Sequence, residues 1–180
     1  MGVFDAASVI DLAQGCVDLV HLERTLLGQL LTAFGADVGC LRLSRGAPSK
    51  AVTAAGHPAP PEASMGFALS SALDATTRER HAGELRAVLE SACRDGVAVD
   101  VDVLGEAAVR STRYFSEFVH PQGGRATLFA FPRLRGRIVG CLLLGRGNGP
   151  GRFLPRERDR LHALLPAIAV AGAATVAASS

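Results

Sequence analysis

The chain contains no tryptophan and a single tyrosine, and aromatic residues make up only 5% of its 180 positions. Alanine, valine and leucine must therefore build the core. The hydrophobic share of 48% and charged share of 20% are those of a globular rather than a disordered chain. Lysine is as scarce: one against eighteen arginines, a ratio that reads as coding bias more than as chemistry. The four cysteines, Cys16, Cys40, Cys93 and Cys141, form no CxxC pair, so no zinc spacing exists and no metal is expected. Each lies in an apolar run, as small buried hydrophobes do, and reduced thiols suit the cytoplasm.

Other absences narrow the classes further. The start, MGVFDAASVIDLAQG, has no basic leader of the secretory kind. Ala6 stands where myristoylation wants Ser or Thr. The glycine run GRGNGPG at 145–151 is followed by Phe153 and Pro155 rather than by Lys-Ser/Thr, so it reads as a loop and not as a phosphate cradle. Residues 161–180 carry no Asp, Glu, Lys or Arg. They are mostly weakly apolar alanine, however, interrupted by Pro166 and closed by serines, and fall short of the roughly 20 apolar residues that a span needs. No membrane partner is expected.

What is present points to one domain with a substantial core. The net charge of +2 conceals an asymmetry: residues 1–124 hold ten basic and fifteen acidic side chains (−5), while residues 125–180 hold nine Arg against Glu157 and Asp159 (+7). Such an end can face nucleic acid, an anionic ligand or a membrane surface. No DNA-reading helix is recognisable, and the plainer reading is a solvated turn and helix start, without direct DNA contact.

Residues 6–34 read as one long helix, capped by Asp5 and stopped by Gly35. Val9, Leu12, Cys16, Leu19, Val20, Leu26, Leu27, Leu30, Leu31 and Phe34 recur at three-four spacing, with Asp11, Asp18, Glu23 and Arg24 largely between them. Its roughly 44 Å length exceeds a small domain. Val38–Leu43 and Ala51–Ala55 read as a hairpin about a turn-rich loop; residues 67–73 are ambiguous between strand and irregular chain. Asp74 starts a helix to about Arg94. Val97–Val103 alternates cleanly, as a strand with one buried face. Residues 106–119 read as another helix, stopped by Pro121 and the following glycines. Leu128–Phe131 and Ile138–Leu144 are apolar on both faces, like central covered strands. The turn between them is too short for anything but an antiparallel hairpin. Pro155 opens a last helix, which Pro166 should kink. The sum is an α+β fold with a mostly antiparallel sheet.

Residues 36–170 resemble a GAF domain of the type found N-terminal to LuxR-type helix-turn-helix domains in bacterial transcription regulators. The resemblance rests on RSTRYFSEFVHPQGGR at 110–125, GRIVGCLLLGR at 136–146 and FLPRERDRLHALLPAIA at 153–169. It implies an antiparallel sheet of about six strands, with the first and last helices on one face and shorter helices, around a possible ligand pocket, on the other. It implies cytoplasmic signal transduction without catalysis and without a cofactor, through a small molecule or regulatory protein. It also implies a homodimer through the terminal helices, for which Leu12, Leu19, Leu26, Leu27, Leu30, Leu165 and Ile168 are the candidates. Neither a cyclic-nucleotide signature nor a bilin-attachment Cys–His pair accompanies it.

Candidate ligand-binding residues are Tyr114, Phe118, His120, Phe129, Phe131 and Cys141, with Arg113 as an anion contact. The plainer reading packs the aromatics on the sheet and leaves His120 and Arg113 on the surface. Which face Phe129, Phe131 and Cys141 occupy is open at this point. Two alternatives stand beside the sensor: a stand-alone interaction module with no ligand, and a cysteine-dependent redox enzyme on the same fold. The tryptophan-containing signature of the GAF-fold methionine sulfoxide reductases is missing.

Overall fold

The computed structural model describes residues 4–43, 80, 81, 83–147 and 151–178. The strands expected at 51–55 and 67–73, and the start of the helix expected from Asp74, lie outside the described residues.

The expected single helix over 6–34 is two helices. Helix α1 (Ala6–Gln14) begins at Asp5, whose carboxylate accepts the Ser8 N–H at 2.9 Å in a reciprocal capping box. It ends at Gly15, and the chain restarts at Asp18, which accepts the His21 N–H at 2.8 Å and caps α2 (Leu19–Phe34). A second good cap three residues after a glycine outcompetes continuation of the helix. Gly35 closes α2 in the left-handed conformation at φ 54°, and Ala36 N–H returns to Leu31 O at 2.9 Å. Glu23, read as a solvent-side charge, is buried: it accepts the Leu43 N–H at 2.7 Å and pairs with Arg42 at 3.1 Å.

Strand β1 (Val38–Leu43) leads into the sheet. Helix α3 (Arg86–Asp95) is followed by β2 (Val97–Val99). The alternating run to Val103 therefore stops early. Asp100 turns the chain into α4 (Asp100–Leu104), its Oδ1 accepting N–H groups from Val101 at 2.7 Å and Thr127 at 2.9 Å. The helix expected over 106–119 is also interrupted. After α5 (Glu106–Arg110), Thr112 accepts the Phe115 N–H at 3.0 Å and restarts the chain. A wider π-helical turn covers Phe115–Val119, and a tight 3₁₀ turn covers His120–Gln122.

Strands β3 (Ala126–Ala130) and β6 (Gly140–Arg146) are buried at every position. Between them β4 (Arg133–Leu134) pairs with β5 (Arg137–Ile138). Their turn holds Arg135 at φ 51° and Gly136 at φ 76°, the two positive angles that a two-residue hairpin with matching twist requires. The main sheet has four antiparallel strands in the order β1-β6-β3-β2. Helix α6 (Pro155–Ala178) runs on through Pro166.

The core splits by sheet face. Leu41, Leu43, Leu128, Leu142 and Leu144 face α1, α2 and α6. Ala98, Phe129, Cys141 and Leu143 point the other way, toward α3 and the 114–119 segment. The fold is thus α+β with an antiparallel sheet between two helical layers. Of the described residues, α6 alone is long and apolar enough to cross a membrane, with mean hydropathy 1.8 over an 18-residue window that is 44% buried. It packs on α1 and α2, with Leu161, Leu164, Leu165 and Ile168 in the core.

Candidate functional site

The face opposite the terminal helices collects most of the residues expected to bind a ligand. Phe129, Phe131 and Cys141 all face this layer and are buried there with Leu85, Leu89 and Tyr114. Tyr114 is completely enclosed. Its ring stacks on Phe118 with centroids 5.7 Å apart, tilts against Phe129 at 6.2 Å, and meets His81 edge-on at 5.8 Å. His120 and Arg113 are not part of this cluster. His120 is exposed and lies against Phe115 at 5.9 Å. Arg113 is exposed and contributes its backbone N–H, which donates to Glu84 at 3.1 Å.

Within the layer lies a polar chain that no sequence motif announced. The Tyr114 hydroxyl donates to Thr127 Oγ1 at 2.9 Å. Thr127 N–H donates to Asp100 Oδ1 at 2.9 Å, and Asp100 Oδ2 has no hydrogen-bond partner among the described residues. Burial pushes the Asp100 carboxyl up to about 6, against the pull of the Thr127 and Val101 N–H groups. The same burial, reinforced by the Asp100 charge, raises the Tyr114 phenol well above its ordinary range.

His81, also fully buried, places Nε2 3.0 Å from Glu117 Oε2, while its Nδ1 lacks a partner among the described residues. Glu84 holds the start of the segment by accepting the Tyr114 N–H at 2.8 Å. The missed residues carry weak signals: Asp100 stands between valines in an alternating run, where polar positions read as solvent-facing.

Next to Thr127 is a cavity of about 50 Å³, lined also by Cys40, Phe118, Val119, Gln122 and Leu143. That is room for a few waters and far below the several hundred Å³ of a typical ligand site. Burial raises the Cys40 thiol, partly offset by Arg42. Burial likewise drives the Cys141 thiol far up. Neither is thus a ready thiolate. Among the described residues no three His, Cys, Asp or Glu side chains gather as a metal site.

The candidate dimer residues are engaged within the chain itself. Leu19, Leu26, Leu30, Leu165 and Ile168 are buried in the core between sheet and terminal helices. Leu12 and Leu27 are half-buried against it, Leu27 reaching over Gly39 of β1. The apolar surface left outward on these helices includes Val20 of α2 and Val170 of α6. Besides Val170, the outer side of α6 exposes Ala163, Pro166, Ala173, Ala174 and Ala177.

No known protein-family profile matches the chain, and no curated protein matches it in sequence.

Proposed function

We propose that the chain is a non-catalytic regulatory module of the GAF type, cytoplasmic, which dimerises through its terminal helices and serves a bacterial transcription regulator. The observation that carries this reading is the separation of the two sheet faces. The first and last helices lie on one face, where a partner can be engaged. The other face encloses the Tyr114–Thr127–Asp100 chain, where a signal can be registered. Support for a sensory role comes from two fully buried polar atoms without partners among the described residues, Asp100 Oδ2 and His81 Nδ1, since such atoms mark sites completed by water or ligand. The raised thiols of Cys40 and Cys141 favour this reading over a thiol enzyme built on either.

The dimer contact falls on the outer side of α6 rather than on the leucines of its inner side. From Leu161 onward that helix carries no charge. A two-fold contact sets a patch against itself, so an uncharged patch suits it where the arginine-rich hairpin would repel its own copy. Ligands then bias how α1 and α6 pack, and so the dimer. Light scattering on the intact chain tests the association. A thermal-shift screen of metabolites tests the sensing, because binding to the folded state raises its melting temperature. A monomer that no compound stabilises would overturn the reading in favour of a ligand-free interaction module.

A further inference from the structure

A groove of about 370 Å³ lies between the C-terminal half of α6 and the β4–β5 hairpin. Its size falls in the range of small-molecule sites. The floor is apolar: Leu43, Ile138, Val139, Ala169, Gly172 and Val176. Gly172 lets α6 pack closely on Leu43, since a Cβ there would lie 3.0 Å from Leu43 Cδ1. Arg135 and Arg137 stand at the rim, both exposed, and neither guanidinium forms a hydrogen bond or ion pair with another described residue.

Among the described residues, no carboxylate pairs with either guanidinium. Helix α6 has no acidic residue beyond Asp159. Glu23, behind the end of β1, is already paired with Arg42 at 3.1 Å. Two unneutralised guanidiniums over an apolar trough are complementary to one chemistry, an anionic head on an apolar tail.

We propose that this groove binds a free amphiphilic carboxylate of the fatty-acid class, with its alkyl chain along α6 and its carboxylate between Arg135 and Arg137. The site lies outside the Tyr114–Thr127–Asp100 chain and shares Ala173 with the outer side of α6.

Titration calorimetry of the intact chain with dodecanoate, kept below its micelle concentration, tests this. Butyrate and an uncharged dodecyl glycoside serve as controls. Dodecanoate should bind, and both controls should bind at least tenfold more weakly. Arg135→Gln with Arg137→Gln should weaken dodecanoate about tenfold or more, the worth of one charge-assisted hydrogen bond, and leave the glycoside unchanged. Ala173→Glu, at an exposed position on the groove wall, should abolish dodecanoate binding with an unchanged circular dichroism spectrum. No dodecanoate binding up to about 1 mM, or binding that both variants retain, would overturn the proposal. Association with phosphatidylglycerol vesicles without binding of monomeric dodecanoate would also overturn it, in favour of a bilayer surface.

Discussion

Arg146 lies 2.8 Å from Glu157, and this pair ties the end of β6 to the first turn of α6. The guanidinium also donates to Gly35 O at 3.1 Å, to Arg152 O at 2.8 Å and to Phe34 O, and it stacks on Phe153 at 4.3 Å. One buried side chain thus satisfies the C-terminal carbonyls of α2 and neutralises an acid at the start of α6. Burial raises the Glu157 carboxyl, but hydrogen bonds from Arg146 and the Leu154 N–H outweigh it and hold the group below its usual range.

Arg146→Met should therefore destabilise the fold by about 3 kcal/mol, the lower end for breaking a buried pair, because Glu157 remains partly in water. Urea denaturation at neutral pH measures it. Since the folded state holds Glu157 below its unfolded value, this contribution is present above the usual carboxylate range and fades as pH falls through it. The difference between wild type and variant should shrink in acid.

Asp100 titrates with the opposite sign. Its folded value of about 6 lies above the ordinary 3.8, so the folded state holds the proton more tightly. Its contribution to stability is greatest below about pH 4 and falls by roughly 3 kcal/mol as pH rises to about 6 and beyond. Asp100→Asn keeps an acceptor for the Val101 and Thr127 N–H groups and does not ionise. Relative to wild type, it should gain roughly that amount between pH 4 and 7 in chemical denaturation. A difference that stays constant with pH would contradict this.

Tyr114→Phe removes one hydroxyl and leaves the ring contacts. The loss should be about 1–2 kcal/mol, the cost of an unsatisfied buried hydrogen-bonding group. Tyr114→Ala should cost about 3–5 kcal/mol through the cavity it opens. Thermal melts of both variants separate the polar role of this residue from its packing role.

Elements governed by neighbouring residues were legible in the sequence. The Asp5 cap, the Gly35 stop, the Pro155 start and the hairpin at 133–138 all depend on contacts a few positions apart. The double-sided burial of β3 and β6 was legible too, because it needs apolar residues at every position. Less legible was the break between α1 and α2, where the three-four pattern runs on through Gly15 and only the Asp18 cap betrays the restart. Asp100 was hidden for a different reason: its partner Thr127 is 27 residues away, and no local pattern reports such a pairing. In the candidate site, Tyr114, Phe118, Phe129, Phe131 and Cys141 come together on one face, which the sequence left open for the last three, whereas His120 and Arg113 point outward. The terminal-helix leucines illustrate a further limit, since periodicity marks an apolar face without saying whether the chain or a partner covers it.

The outer face of α6 carries the regulatory reading, and Val170, about half exposed at 47%, sits on it. Sedimentation equilibrium of the wild type and Val170→Glu, over a range of concentrations, tests it most directly. The account predicts a dimer for the wild type and a folded monomer for the variant, with unchanged circular dichroism. A wild-type monomer at the highest concentration, or a variant that remains dimeric, would contradict it.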